Sequence, residues 1–201
     1  MITIIDYGVG NVRAILNMLT YLEIESQISG SPDDILKSTH LILPGVGSFD
    51  PAMRALQQKS LIDPIRESVL VQKNLILGIC LGMQLLGSGS EEGDLDGLQL
   101  IHANSVKLKS AADLKVPHIG WAKCVPYGTN SLIEKQMSFY FSHSYVVRSE
   151  VPKDIITAYY GTDFLAGFIH ENIIGLQFHP ERSSKNGIYL LNRFANYNQN
   201  V

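Results

Sequence analysis

Cysteine is scarce in this sequence, and apolar runs are short. The 201 residues include two cysteines, Cys80 and Cys124. No apolar run reaches the roughly 18 residues of a membrane-spanning helix, and no basic segment precedes the apolar start as in a secretory signal. Two cysteines without an export signal are more simply free thiols in a reducing compartment than a disulfide. We therefore expect a cytoplasmic protein that does not contact membranes.

An excess of positive charge is also missing. Lysine and arginine number 16 against 19 aspartates and glutamates, and the pI is about 6.0. This balance argues against a nucleic-acid or anionic-membrane partner. The sequence has no internal repeat, low-complexity segment or Pro/Ser-rich linker, so we expect one domain over residues 1–201. We assign no metal ligand and no cofactor.

The first half of the sequence alternates short buried runs with helical spacing. β-Branched apolar runs that end at glycine or proline predict strands, and apolar residues three or four apart predict helices. Strands are predicted at residues 2–7, 41–43 and 75–79. Helices are predicted at residues 12–22, from 31, at 50–58, at 64–72 and from 82. This order indicates parallel strands that are covered by helices on both faces.

The second half of the sequence is richer in strands. They are predicted at residues 98–101, 105–108, 139–147, 155–159, 164–169 and 173–178, before a last helix at 184–197. Because no linker separates the halves, we expect these strands to continue the same sheet. The predicted fold class is therefore α/β, with a mainly parallel, mixed sheet flanked by helices.

The segment around Cys80 has the spacing of a nucleophile elbow. Gly78 and Gly82 flank Cys80 between a buried strand and the start of a helix. Glycines permit the strained turn and the close packing that lift a nucleophile above the strand ends. The helix start favours a thiolate, and the N–H of Leu81 is free to face a developing oxyanion. Cys124 lacks this setting, and we interpret it as structural.

A base and its orienting carboxylate follow the last predicted strand. His179 and Glu181 are two residues apart, so in extended chain they face the same side. Pro180 between them stiffens the segment. A carboxylate on one imidazole nitrogen holds the tautomer and leaves the other nitrogen to accept the thiol proton. Cys80, His179 and Glu181 are therefore the predicted catalytic residues, although only the sheet topology can bring them together.

Several motifs together resemble one family. They are IDYGVGN at 5–11, LPGVGSF at 43–49, GICLGMQLL at 78–86, SEEG at 90–93, PHIGW at 117–121, HSY at 143–145 and QFHPE at 177–181. The chain resembles the class I (triad) glutamine amidotransferases, and among them the glutaminase subunits of imidazole glycerol phosphate synthase. The resemblance implies a flavodoxin-like fold and hydrolysis of L-glutamine through a γ-glutamyl thioester. It also implies ammonia delivery to a separate cyclase of (β/α)8 type, within a heterodimer of histidine biosynthesis.

The resemblance also implies roles for individual residues. An oxyanion hole is expected at Gly45, Val46 and Leu81. Contacts with the glutamine substrate are expected at Gly47, Gln84, Ser144 and Tyr145. Contacts with the partner are expected at Gly10, Asn11, Pro117, His118 and Trp121. For His143, a structural and a functional role remain equally open.

Two departures from the family pattern keep alternatives open. Ala122 stands where the family usually has asparagine, and Arg182 stands where lysine is common. The first departure admits a paralogous subunit that supplies ammonia for amidation of a bacterial surface sugar. A non-catalytic module and a thiol peptidase of the same superfamily are less favoured, since the triad and the glutamine-binding set are complete. The Gly8–Gly10 turn does not indicate a dinucleotide site, because Arg13 replaces the third glycine.

Overall fold

The computed structural model describes residues 1–109, 114–128, 132–149 and 154–197. Within these ranges, its largest feature is a mixed sheet of nine strands flanked by helices. A second sheet has three strands in the same ranges. The strands in chain order are β1 (Ile2–Ile5), β2 (Ser26–Ser29), β3 (His40–Gly45), β4 (Leu75–Cys80), β5 (Gly89–Ser90), β6 (Ala103–Lys107), β7 (His118–Tyr127), β8 (Met137–His143), β9 (Tyr145–Ser149), β10 (Asp154–Tyr159), β11 (Asp163–His170) and β12 (Ile173–Leu176).

Helices connect the parallel strands and close the chain. They are α1 (Val12–Tyr21), α2 (Pro32–Lys37), α3 (Phe49–Gln58), α4 (Ile62–Arg66), α5 (Leu81–Leu85) and α6 (Ser184–Ala195). A π-helical turn at Glu67–Val71 extends α4, and a 3-10 turn at Pro180–Arg182 precedes α6. None of the helices described here is long and apolar enough to cross a membrane.

The large sheet has a parallel and an antiparallel half. Its strand order is β2-β1-β3-β4-β12-β11-β10-β7-β8. Strands β2, β1, β3, β4 and β12 run parallel, and each later neighbour pairs antiparallel. The predicted class, a mixed α/β sheet flanked by helices, is confirmed. Because β4 lies between β3 and β12, the carboxyl ends of these three strands meet at one edge of the sheet.

Except for the edge strand β2, the strands of the parallel half are buried on both faces. Along β3, Leu41 and Leu43 pack into the hydrophobic cluster of α2 to α5, whereas Ile42 packs into the cluster of α1 and α6. This alternation follows from the strand period of two residues. A strand covered on both sides needs apolar residues at nearly every position, which is why these strands appear in the sequence as unbroken apolar runs.

The strand-rich half differs from the sequence prediction in three places. Residues 98–101, predicted as a strand, are irregular chain and bends, in which the backbone N–H groups of Leu98 and Leu100 donate to backbone carbonyls at the end of α5. The predicted strand 139–147 is two strands, β8 and β9, which separate at Ser144 and belong to different sheets. Strand β7 had not been predicted, and neither had the short strands β2 and β5 in the first half of the chain. The chain thus bends at Ser144, close to the carboxyl ends of the parallel strands.

The Gly8–Gly10 turn serves packing of the chain itself. The N–H of Gly8 donates to the Asp6 carboxylate over 3.0 Å. Gly10 has a φ of +100°, and a Cβ there would press against the ring of Pro44. Asn11 then caps α1, since its side-chain oxygen accepts from the N–H of Ala14.

Candidate active site

Cys80 lies on a strained turn between β4 and α5. It is the last residue of β4, with φ +54° and ψ −110°, and α5 begins at Leu81. A Cβ on Gly82 would overlap the carbonyl oxygen of Leu43, and a Cβ on Gly78 would meet the carbonyl of Gly82. Glycine is therefore required at position 82 for the turn to pack against β3 and at position 78 for α5 to fold back over β4. The structure contains the elbow that the glycine spacing predicts.

The register of the sheet brings His179 to this turn. Strand β12 runs parallel beside β4 and pairs Leu176 with Ile79, so the residues after Leu176 come level with Cys80. The backbone N–H of His179 donates to the carbonyl of Tyr140 over 2.8 Å. The Ser183 hydroxyl donates to the His179 carbonyl over 2.6 Å. Together these bonds fix the imidazole at the strand ends.

Glu181 meets His179, but not through extended chain. The Nδ1 atom of His179 lies 2.8 Å from Oε1 of Glu181, and both side chains are buried. The expectation that the two residues face one side of a strand is wrong, because Glu181 lies in the 3-10 turn that begins at Pro180. Since a carboxylate only accepts, Nδ1 must carry the proton, and Nε2 is free to face the thiol.

Burial and charge act in opposite directions on His179. Burial lowers the pKa of this imidazole, but hydrogen bonds and charge attraction from Cys80 and Glu181 outweigh burial and raise the pKa to about 10. The imidazolium is therefore the favoured form at neutral pH. The second carboxylate oxygen of Glu181, Oε2, is buried and has no hydrogen-bond partner among the described residues.

Two further polar groups approach the sulfur. The Sγ atom of Cys80 lies 3.7 Å from the carbonyl oxygen of Ser142. The amide Nε2 of Gln177 also lies 3.7 Å from Sγ. Ser142 belongs to β8, whereas Gln177 follows β12 directly. The sulfur therefore contacts a group that only accepts hydrogen bonds and a group that donates them.

A cavity of about 290 Å³ opens in front of the sulfur. It is wide enough for an amino-acid side chain and its backbone groups. Of the predicted site residues, the cavity is lined by Asn11, Val46, Gly47, Cys80, Leu81, Gln84, Pro117, Ser144, Tyr145, His179 and Glu181. The structure thus brings the three predicted catalytic residues and all four predicted substrate contacts to one cavity.

Four predicted site residues lie outside this lining. Gly45 pairs with Cys80 in the β3–β4 register and sits beneath the elbow. Gly10 packs against Pro44. Trp121 is 54% exposed on β7, whereas His118, expected to contact a partner, is only 2% exposed. A contribution of His118 to a partner surface would therefore be indirect.

Sequence reasoning assigned no role to Glu92, although it lines the cavity. Its Oε2 accepts from the backbone N–H of Phe49 at the start of α3 over 2.9 Å. Gln177 was likewise quoted only as part of a motif. Glu92 and Gln177 belong to the SEEG and QFHPE motifs, which marked them as candidates. Their contacts are with residues far away in the sequence and could not be inferred from the motifs.

His118 and His143 form a buried pair at the cavity, which His143 helps to line. His143 Nδ1 lies 2.9 Å from the carbonyl of Tyr145, and His143 Nε2 lies 3.2 Å from His118 Nδ1. Because a carbonyl only accepts, His143 is protonated at Nδ1, and His118 Nδ1 must then donate to His143 Nε2. Burial lowers the pKa of each ring to about 4. Both are therefore neutral at physiological pH.

This pair predicts a loss of stability in acid. A folded pKa near 4 against an ordinary value of 6.5 means that the unfolded chain binds more protons between these values, so stability falls as pH drops below about 6.5. We expect each histidine to cost about 2 kcal/mol of unfolding free energy at pH 5. The measurement is the free energy of unfolding in urea at about pH 7.5 and pH 5, for the parent and for His118→Phe. Phenylalanine keeps an aromatic ring at this position but cannot be protonated.

His118→Phe should lose less stability on acidification than the parent. His179 contributes with the opposite sign, because its raised pKa stabilises the fold below its ordinary value, but this contribution cancels between the two proteins. Equal losses in both proteins would contradict the assignment of a neutral pair.

Metal chemistry has no visible donor set in this part of the chain. Across residues 1–109, 114–128, 132–149 and 154–197, no three His, Cys, Asp or Glu side chains lie close enough to hold a metal ion. The polar groups at the cavity include a thiol, imidazoles, carboxylates and amides. This set suits covalent transfer of an acyl group through sulfur.

Comparison with protein families identifies sequences of the same kind. The profile of the family "Glutamine amidotransferase class-I" matches residues 3–196. A protein of Methanococcus maripaludis named "Imidazole glycerol phosphate synthase subunit HisH 2" is 46% identical over 96% of this chain and 98% of its own length. A protein of Pseudomonas aeruginosa with the same name is 42% identical over 97% of this chain and 98% of its own length.

Solved structures share the fold at much lower identity. A structure described as "Structure of PurLQS from Thermotoga maritima" superposes with a TM-score of 0.75 at 20% identity, over 98% of this chain and 97% of that one. A structure described as "Crystal structure of glutamine amidotransferase" also gives 0.75, at 18% identity, over 98% and 99% of the two chains. At these identities the likeness concerns the fold alone.

Proposed function

The chain belongs to the class-I glutamine amidotransferase family, and we propose that it is the glutaminase subunit of an imidazole glycerol phosphate synthase. It would hydrolyse L-glutamine to glutamate and pass the ammonia to a separate cyclase subunit in histidine biosynthesis. One observation carries the chemical part: Cys80 lies on a strained turn in hydrogen-bond contact with His179, which in turn bonds Glu181 at the base of the cavity. One domain, residues 1–201, carries this site.

In the proposed reaction, the proton of the Cys80 thiol resides on His179, which leaves a thiolate beside the imidazolium, and the sulfur attacks the carboxamide carbon of glutamine. The negative charge that develops on oxygen would be met by the N–H of Leu81, which has no acceptor within the first turn of α5, and by the backbone at Gly45 and Val46. The imidazolium then protonates the leaving nitrogen, and ammonia departs as the γ-glutamyl thioester forms. Water, deprotonated by His179, hydrolyses the thioester and restores the thiol.

The rest of the cavity supplies complements to the amino-acid end of glutamine. Gly47, Gln84, Ser144 and Tyr145 line it and are the proposed contacts with the substrate backbone and side chain. Gln84 donates to the Tyr145 carbonyl over 3.3 Å, which joins α5 to the start of β9. The Glu92 carboxylate at the same cavity is the acceptor that we propose for the ammonium group of glutamine.

The proposed partner is a cyclase of (β/α)8 type that binds at the strand-end face. Asn11 and Pro117 line the cavity, and β7 continues from Pro117 to the exposed side chains of Ile119 and Trp121. The ring of Trp121 lies edge-on to Tyr140, and the Arg182 guanidinium lies 4.2 Å above the Tyr140 ring. This surface adjoins the cavity, so ammonia could pass between the two chains without entering bulk solvent. Both cysteines are free thiols, which suits the cytoplasm.

We expect the isolated chain to hydrolyse glutamine slowly and its complex with the cyclase to be fast. Free hydrolysis wastes glutamine, so coupling requires a local equilibrium that the partner shifts toward the active arrangement. An activation of about 100-fold corresponds to about 2.7 kcal/mol, within the range of coupling between sites. The measurement is the rate of glutamate formation by this chain alone and with the purified cyclase of the same genome, in the presence of the cyclase acceptor substrate.

A cyclase homologue from a surface-sugar pathway is the matched comparison. Ala122 is the residue that supports the alternative partner. The methyl group of Ala122, however, packs against the core on the face of β7 opposite Trp121. Activation by that homologue alone would overturn the histidine pathway and preserve the chemistry. A fast rate with no partner would overturn the coupling.

A further inference from the structure

Gln177 is a buried amide that touches the nucleophile. Its exposed fraction is 0%, and it lies between the end of β12 and His179. Its Nε2 is 3.7 Å from Cys80 Sγ, within the range of an N–H···S hydrogen bond. Its Oε1 is 3.3 Å from Nε2 of Gln84. The proposed reaction gives Gln177 no role. Because the side chain is buried, it is also not a surface amide that serves contact with solvent.

The orientation of the Gln177 amide is determined by its neighbours. The carbonyl of Tyr145 can only accept, so the group of Gln84 that faces it must be the NH₂. The same NH₂ faces Gln177, so the Gln177 atom opposite must be the oxygen. The NH₂ of Gln177 is thereby directed at the sulfur. The reverse orientation would place two NH₂ groups face to face and a carbonyl oxygen against sulfur.

The Tyr145 carbonyl that begins this chain is itself held from a second side. It accepts from His143 Nδ1, and His143 accepts from His118, so buried bonds run from β7 through the carbonyl to the sulfur. His118 is stacked on Tyr160 with ring centroids 4.0 Å apart. The amide orientation is therefore anchored in the core of the protein and does not depend on bound substrate.

We propose that Gln177 is a further catalytic residue, whose amide N–H donates a hydrogen bond to the Cys80 thiolate. The two polar groups beside the sulfur respond oppositely when the thiol proton moves to His179. The Ser142 carbonyl can accept from the thiol but faces the thiolate with a negative dipole, whereas the Gln177 N–H bonds a thiolate more strongly than a thiol. Gln177 thus stabilises the thiolate form of Cys80. It also holds the sulfur in position while the thiolate is converted to the thioester and then restored.

This inference rests on the proposed role of Cys80, but its test does not need glutamine. The experiment measures the rate at which iodoacetamide alkylates Cys80 between about pH 5 and pH 9, by mass spectrometry of the full chain. Cys124 is fully buried and does not compete. A hydrogen bond to a charged group changes an equilibrium by about tenfold or more, so Gln177→Met should lower the alkylation rate about tenfold near pH 6. The kcat for glutamine should fall by a similar factor with little change in KM.

Two companion variants separate this role from a structural one. Gln177→Glu keeps the volume and can still accept from Gln84, but its carboxylate offers the sulfur no donor, so it should lose at least as much rate at neutral pH as Gln177→Met. Asn172→Leu is the matched control for lost buried amide bonds. Asn172 donates to the carbonyls of Val69 and Asn74 over 2.7 and 2.8 Å, and it lies at the end of β12 opposite to Gln177 and the sulfur. Its replacement should lower the Tm and leave the pH profile of alkylation unchanged.

The outcomes distinguish this inference from the proposed function. A parent chain that neither alkylates at Cys80 nor hydrolyses glutamine overturns the proposed function. A normal parent, with Gln177→Met and Gln177→Glu matching its alkylation rate at every pH, overturns the role of Gln177 alone. A lower Tm in Gln177→Met with an unchanged alkylation profile assigns Gln177 to folding and also overturns its catalytic role.

Discussion

Replacing Cys80 by alanine should abolish glutamine hydrolysis and leave the fold intact. Removal of a covalent nucleophile that acts with a base lowers kcat by at least about 10⁴-fold, because every later step depends on the thioester. The Cys80 side chain is small, and the backbone strain at φ +54° is present in the parent as well, so the loss of stability should be modest. The measurements are glutamate release, the Tm, and labelling by a glutamine-like electrophile, which should modify Cys80 in the parent and nothing in the variant.

Cys124→Ala is the control for this experiment. Cys124 is fully buried where β7 pairs with β10, and burial raises the pKa of its thiol, so it remains a neutral core residue. Its truncation should cost about 1 kcal/mol of stability through lost packing and leave kcat unchanged. Hydrolysis by Cys80→Ala at the rate of Cys124→Ala would refute the assignment of the nucleophile.

The elements with a single strong signal in the sequence were predictable. Strands β3 and β4 are buried on both faces, so their apolar runs admit little else. The elbow was predictable because Gly78 and Gly82 flank Cys80 at a spacing that is visible within five consecutive residues, although the contact that requires Gly82 is with Leu43 on β3. The same local logic failed for residues 98–101, whose apolar side chains are buried against α5 without forming a strand. Apolar content reports burial, and burial alone does not specify a strand.

Features set by distant neighbours were not predictable. Strand β2 is half-buried along its whole length at the edge of the sheet, so it has neither an apolar run nor a clear alternation. Strand β7 contains Gly120 and Pro126, both of which count against a strand in isolation. The contact of Gln177 with Cys80 depends on the parallel pairing of β12 with β4. Nothing within either segment encodes that pairing.

The surface ion pair of Glu134 with Arg193 provides a control for charge removal at Glu181. The Glu134 side chain is 65% exposed and lies 2.8 Å from Arg193, so Glu134→Gln removes a carboxylate of the same kind in a solvated setting. Exposed pairs of this type contribute about 0–1 kcal/mol to stability, and we expect no effect of this pair on the groups at the cavity. Its kcat should stay within about twofold of the parent.

Glu181→Gln should lower kcat about 10³-fold, less than Cys80→Ala, with KM nearly unchanged. The amide keeps the shape of the carboxylate but removes the charge that, with Cys80, raises the pKa of His179 to about 10. An amide NH₂ facing Nδ1 also selects the tautomer with the proton on Nε2, which cannot accept the thiol proton. The pKa of His179, followed by NMR of the ring, should therefore fall in the variant. An unchanged pKa of His179 would contradict charge stabilisation of the base by Glu181. A loss of rate as large as that of Cys80→Ala would contradict a role limited to orienting and stabilising the base. Glu181 contacts the imidazole of His179 and not the sulfur. The alkylation rate of Cys80 in Glu181→Gln should therefore fall only in proportion to the loss of the imidazolium. This partial loss of rate distinguishes a carboxylate that orients the base from a second nucleophile.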